Sequence, residues 1–273
     1  MRSAPSALAE SDALELLTHG SIEVQGRMAT ASNATLYARV DWQGISGECI
    51  YKPVAGERPL WDFPPGTLGK REVAAYHVSV ASGWDLVPPT VWRAGPFGPG
   101  SVQLWVPALP DNGLIDVVAP AEVPPGWLGV LQAEGRRGEP VLLVHADDVR
   151  LARLAVLDAV IDNADRKAGH VLRTAQDRVW GVDHGVSFNV EPKLRTVLWG
   201  FGGAPLPAEA TGVLRALSRE LAGEAQGALA PALAQLLSPP EVSRTRERVD
   251  ELLTSGAFPL PAGHGPVIPW PPW

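Results

Sequence analysis

Hydrophobic and polar positions change period near the middle of the chain. In the first half short alternating runs dominate. Residues 21–27, 36–40 and 47–53 each read as a strand, and together as an antiparallel meander with a small-residue loop between the first two. A short helix over 13–18, capped by Ser11 and Asp12, precedes them. A Pro/Gly-rich insertion at 55–68 leads into a helix over 70–82 that Gly83 ends; Val73, Ala74, Tyr76, His77 and Val80 form its apolar face. Strands over 89–94 and 101–106 flank a Gly-Pro-Phe-Gly-Pro-Gly turn, so the half reads β-β-β-α-β-β.

Residues 107–140 read as irregular, rich in Pro, Gly and acids, with room for a turn of helix in 111–118. A helical period then takes over. Asp147-Asp148 cap a helix over 149–161, and further helices are expected over 208–222, 228–237 and 240–254. Only a small two-strand element and the short apolar run 194–201 interrupt them. The tail 256–273, ending Pro-Val-Ile-Pro-Trp-Pro-Pro-Trp, reads as extended polyproline. The pattern defines an α+β fold in three parts: a β-rich lobe with one helix over 12–106, a mainly helical lobe over 107–255, and the Pro/Trp-rich tail.

Composition narrows the function. The 273 residues are 45% hydrophobic, enough for a sizeable core, and carry a net charge of −7. That balance lacks the basic footprint of a nucleic-acid binder, and an anionic lipid headgroup is an unfavourable substrate for the same reason. One cysteine, Cys49, excludes an intramolecular disulfide and fits a reducing cytosol; in a strand-like run it reads as a small buried hydrophobe. With no leader pattern and no apolar run of membrane-spanning length, the expectation is a soluble, cytoplasmic protein without membrane insertion.

The candidate chemistry lies in 157–188, LDAVIDNADRKAGHVLRTAQDRVWGVDHGVSF. An apolar run stops at Asp162-Asn163, a polar turn carries Asp165, Arg166, Lys167 and His170, and a second apolar run ends in Asp183-His184-Gly185. Carboxylates at the mouths of hydrophobic elements call for a cation, because burying them unpaired costs several kcal/mol. A β lobe with one helix, then a helical lobe holding an acidic site, is the plan of a two-lobed protein-kinase-like fold. Taken singly, Lys52 reads as an edge-strand lysine, Glu72 as a first-turn acid and Asp162 as a helix terminator.

The stretches ADRKAGH and VDHG resemble the catalytic and metal-binding loops of the phosphatidylinositol 3-/4-kinase branch. VIDNADRKAGH, GVDHGVSF and KLRTVLWGF further resemble an actinobacterial family related to those kinases, over roughly residues 14–253. The resemblance implies an ATP- and divalent-metal-dependent phosphotransferase, by phosphoryl or nucleotidyl transfer, and the acidic charge balance points to a protein or small-molecule acceptor. It places Lys52 on the nucleotide phosphates with Glu72 as its partner, Asp183 on Mg²⁺ or Mn²⁺, and Asp165 on the acceptor, with Arg166 holding Asp165 or a phosphate. Ser32 and Asn33 stand in the phosphate-facing loop, which has no G-x-G-x-x-G, and Gln103, Trp105 and Val106 fall in the adenine-binding hinge. Where the branch has a metal-binding Asn, this chain has His170, an imidazole better suited to Mn²⁺, with Asn163 as a possible substitute ligand. His170 also motivates the alternative of an inactive pseudokinase that binds a nucleotide or a partner. A phosphohydrolase built on His170, Asp183 and His184 is a third reading, which the lobe layout disfavours.

Overall fold

The computed structural model describes residues 8–28, 33–224, 227–262 and 265–273. Helix α1 (Glu10–His19) starts earlier than its expected cap. Ala9 is its N-cap, with no side-chain hydrogen bond, while Glu10 and Asp12 lie in the first turn, where carboxylates favour the helix dipole. Five strands follow: β1 (Ser21–Arg27), β2 (Leu36–Trp42), β3 (Ile45–Pro53), β4 (Thr90–Gly95) and β5 (Gly98–Leu104). They form one antiparallel sheet in the order β1-β2-β3-β5-β4. Ala38 and Val40 on β2, Cys49 and Tyr51 on β3 and Val102 on β5 share a buried cluster with Leu16 and Leu17 of α1. Burial pushes the Cys49 thiol up to about 12, so it is an unreactive core group.

Helix α2 (Leu68–Ser82) joins β3 to β4 and stops at Gly83, whose φ of 68° is the left-handed cap that glycine adopts without strain. It packs on β4 and β5 of the sheet and also on two C-terminal helices introduced below, so most of its residues are buried.

The middle of the chain departs from expectation. Residues 107–140, read as irregular, supply most of a three-stranded antiparallel sheet: β6 (Ile115–Val118), β7 (Trp127–Glu134) and β8 (Pro140–Ala146), in the order β6-β8-β7. Residues 111–118 hold no helical turn; the Asn112 carboxamide oxygen accepts from Leu114 and Ile115 N–H and starts β6 instead. The sheet is exposed along much of β7, which weakens the apolar signal that would have revealed it.

The helical half is built on α3 (Val149–Ile161), whose Leu151, Leu154, Leu157 and Ile161 are at most 2% exposed. Asp148 caps it by accepting from Arg150 N–H, and Asp162 ends it in the left-handed conformation at φ 53°, the terminating role expected of it. The ribbon β9 (Val171–Arg173) and β10 (Val179–Gly181) follows, then α4 (Ala210–Leu221), α5 (Leu229–Leu236) and α6 (Pro239–Ser255). Ser238 and Glu241 form a capping box at the start of α6. Helices α4 and α5 are the ones that pack on α2. The described residues of the tail form no helix or strand, and they lie against the body: the Val267 carbonyl accepts from Thr196 N–H and Trp199 Nε1–H, and the Pro272 carbonyl from Ala168 N–H. Among the described residues no helix is long and apolar enough to cross a membrane. The architecture is the expected two-lobed α+β one: an antiparallel β lobe carrying α2, and a mainly helical lobe.

Candidate functional site

Lys52 leaves β3 on the face opposite Cys49 and Tyr51, because side chains alternate along a strand. Its Nζ donates to Glu72 Oε1 at 2.5 Å and to Asp183 Oδ1 at 2.8 Å. The helix begins at Leu68, so Glu72 lies beyond the first turn; its carboxylate serves Lys52 and, through Oε2, accepts the N–H of His184 at 2.9 Å. One buried carboxylate thus ties β3, α2 and the turn after β10 together. Asp183 has φ 61°, a conformation Asp tolerates better than most side chains. Burial would raise its carboxyl, but the Lys52 ammonium holds it well below the usual carboxylate range. Burial would also lower the Lys52 ammonium, and Asp183 and Glu72 together push it up instead. Glu72 is raised by burial, with Lys52 opposing. Asp183 remains 50% exposed, so it presents charge to the cleft.

The second wall is the loop after α3. Asn163 is fully buried; its Oδ1 accepts from Asp165 N–H at 3.0 Å and its Nδ2 donates to Asp158 Oδ1 at 2.9 Å. Those bonds commit it to shaping the loop, so it is no substitute metal ligand. Burial raises the Asp165 carboxyl, Lys167 opposes, and the charge of Asp183 adds to the rise, as suits a group that takes a proton. Lys167 Nζ lies 3.3 Å from Asp165 Oδ2.

Arg166 sits behind the loop, 0% exposed. It forms a two-pronged pair with Asp158 at 2.8 and 2.9 Å, donates to the His170 and Val182 carbonyls, and donates to His184 Nε2 at 2.7 Å. A guanidinium only donates, so His184 Nε2 accepts and its proton is on Nδ1. Burial, then Arg166, keeps His184 well below its ordinary pKa and neutral. Arg166 therefore acts by positioning the loop and the Asp183-His184 turn; its hydrogen bonds are directed to neither Asp165 nor an open phosphate site. His184 is likewise turned away from any metal.

His170 Nε2 lies 3.4 Å from Asp183 Oδ2, and its Nδ1 is buried with no hydrogen-bond partner in the structure. Burial lowers its pKa to about 4, so at neutral pH it is an uncharged ligand-competent imidazole. The sign of its contribution to stability follows. The folded pKa is below the unfolded value of roughly 6.5, so the stabilisation is present above about pH 6.5 and is lost as the pH falls toward 4. On lowering the pH from 7.5 to 4.5, the wild type is expected to lose more stability than His170→Asn, by ~3 kcal/mol at most. Urea unfolding at the two pH values checks this; equal pH dependence in both proteins would contradict the burial of a neutral imidazole.

The remaining expected residues are dispersed. Ser32 lies outside the described residues. Asn33 Oδ1 accepts from Arg58 N–H, which fastens the loop before β2 to the insertion after β3. Gln103 Nε2 donates to Thr90 Oγ1 inside the sheet, so its side chain is internal. The Trp105 ring packs edge-on against Tyr37 and its N–H goes to the Glu48 carbonyl, so that amide is not free for a base. Val106 is buried where the chain leaves β5 for the second lobe. Two residues were missed. Arg71, next to Glu72, carries no distinguishing local pattern. Asp158 did leave a signal, an acid in the middle of the apolar run LAVLDAVI.

Lys52, Glu72, Asp183, Asp165 and Lys167 sum to one excess negative charge, which fits a site completed by a cation. Among the described residues no group of three or more His, Cys, Asp or Glu is placed to hold a metal ion by itself. Asp183 and His170 fit an ion that takes its other ligands from phosphate and water, as Mg²⁺ does in nucleotide sites.

A strand lysine paired to a helix glutamate across from a carboxylate turn, in this lobe order, defines the class: a two-lobed α+β protein with a charged site where the lobes meet. The chain belongs to the family of Protein Rv2133c of Mycobacterium tuberculosis, with which it is 46% identical over 265 residues, 94% of each chain. No family model matches it. Among solved structures, the Helicobacter pylori proinflammatory kinase CtkA is similar at 11% identity and a TM-score of 0.46, covering 88% of this chain and 97% of that one.

Proposed function

We propose that this protein is an ATP- and divalent-metal-dependent kinase-like phosphotransferase acting on a hydroxyl of a protein or small-molecule acceptor. The observation that carries the reading is Lys52 bridging Glu72 and Asp183 at 2.5 and 2.8 Å. A lysine held between carboxylates from both lobes is placed to meet phosphate oxygens, and Glu72 keeps it there when Asp183 turns to a metal. Bound Mg²⁺ or Mn²⁺ would neutralise phosphate charge, with Asp183 and His170 as its protein ligands. Asp165 orients the acceptor hydroxyl and takes its proton as the oxygen bonds to the γ-phosphorus and ADP leaves. Lys167 offsets the charge of Asp165, and Arg166 holds the loop. Backbone groups at Val106 are the remaining hinge candidates for adenine.

The test is transfer of the γ-phosphate of labelled ATP to the chain itself, or its release to water, with Mg²⁺ and Mn²⁺ compared. Labelling that Asp165→Asn lowers by about 10²-fold or more is expected. Nucleotide binding without turnover would give the pseudokinase reading, in which His170 marks a lost activity. Absence of nucleotide binding would end both.

A further inference from the structure

Glu72 works only while α2 keeps its place against the second lobe. The preceding residue shows how that place is fixed. Arg71 is 1% exposed. Its Nη1 donates to the Ser187 carbonyl at 2.6 Å, its Nη2 pairs with Glu241 Oε1, and its guanidinium carbon stands 4.8 Å from the centre of the Phe63 ring. Glu241 is itself anchored, because Oε2 accepts from Ser238 N–H at 2.8 Å and Ser238 Oγ–H at 2.7 Å in the capping box of α6. Burial would raise the Glu241 carboxyl, but the Ser238 bonds and Arg71 lower it, so the pair is ionised. Arg71 and Glu72 therefore fasten consecutive positions of α2 to the two ends of the segment 184–187, at the Ser187 carbonyl and the His184 N–H.

The chain beyond that segment is held from within as well. Arg248 pairs with Asp162 and donates to the Asn189 carbonyl, Lys193 N–H donates to Asp162, and Lys193 Nζ reaches Asp62 at 2.6 Å. Every one of these contacts is made by the chain's own charges.

We propose that Arg71 is a positioning residue which, with Glu241, latches α2 to the C-terminal lobe, so that Lys52, Glu72 and Asp183 are in register before any nucleotide arrives and without phosphorylation of the segment after Asp183. The consequence for nucleotide affinity rests on the function proposed above; the latch itself does not. In kinases whose helix swings, the lysine–glutamate pair is made and broken as a control step. Here a swing would leave two opposite charges buried without partners.

The test is hydrogen exchange of 68–82 against 149–161, together with binding of a fluorescent ATP analogue in Mn²⁺. Variants are Arg71→Met, Arg71→Lys and Glu241→Gln, with Val249→Ala as a control that opens a cavity in α6 without touching the pair. Gln preserves the capping box, so Glu241→Gln decides the matter even if Arg71→Met does not fold. Arg71→Met and Glu241→Gln are expected to speed exchange in α2 by about tenfold relative to α3, with weaker analogue binding. Arg71→Lys should keep most of the protection, and Val249→Ala should show no selective loosening of α2. Unchanged α2 exchange in folded Glu241→Gln, or loosening no more selective than in Val249→Ala, would overturn the latch. A wild type that binds no analogue would sink the proposed function, and the exchange data would still judge the latch.

Discussion

On the function proposed above, Asp183→Asn is expected to leave a folded protein whose phosphoryl transfer is lower by about 10²–10³-fold or more. The change is nearly isosteric, and Asn tolerates the left-handed φ of 61° at this position as well as Asp does. The carboxamide oxygen can still accept from Lys52, and Lys52 keeps its buried partner Glu72. What disappears is the negative charge that the cleft presents beside His170. Stability should move by roughly 1 kcal/mol or less, because the Lys52–Asp183 pair is half open to water on the Asp183 side. Single-turnover transfer and urea unfolding, measured on one preparation, separate the two effects. Transfer within a few-fold of wild type would remove Asp183 from the reaction.

Much of this site was legible because its chemistry restricts where charges can stand. A lysine late in a strand, a glutamate on the next helix, and carboxylates closing two apolar runs are unfavourable placements unless they meet, and Lys52, Glu72 and Asp183 do meet. Asp162 was readable as a helix terminator for the same local reason, since Asp accepts the left-handed cap. The direction of a side chain was not readable. Arg166 follows Asp165 in sequence, yet it turns to Asp158 on α3, and only packing decides that. The pairing of the Trp105 amide was not readable either: the β3–β5 pairing runs one residue past the strand, through Trp105 N–H to the Glu48 carbonyl. The sheet β6-β8-β7 was hidden because β7 is largely exposed and lacks clean alternation, while the apolar run in β8 is short. Arg71 shows the general limit. Its partners Ser187 and Glu241 are remote in sequence, and nothing local marks an arginine that will be buried between lobes.

Arg166→Met is expected to cost about 3–5 kcal/mol, a large part of the roughly 5–15 kcal/mol that holds a typical domain. Arg166 and Asp158 are both 0% exposed, so removing the guanidinium leaves a buried carboxylate with only the Asn163 amide beside it. The loss spreads further, because the Val182 carbonyl and the Nε2 of His184 lose their donor in the same step, and the His170 carbonyl loses one of its two. Those three groups flank the loop and the Asp183-His184 turn, so the geometry between Asp165 and Asp183 should loosen together with the fold. Adding Asp158→Leu removes the stranded charge, and the double variant should recover part of the loss. It should not recover all of it, since the Val182 carbonyl and His184 Nε2 remain without that donor, while the His170 carbonyl keeps the Val182 N–H. Urea unfolding of the two single variants and the double closes the cycle. Full recovery in the double variant would mean that the carbonyl and His184 contacts carry no weight and that Arg166 merely neutralises Asp158, whereas a cost under about 1 kcal/mol for Arg166→Met would contradict the stranded buried charge itself.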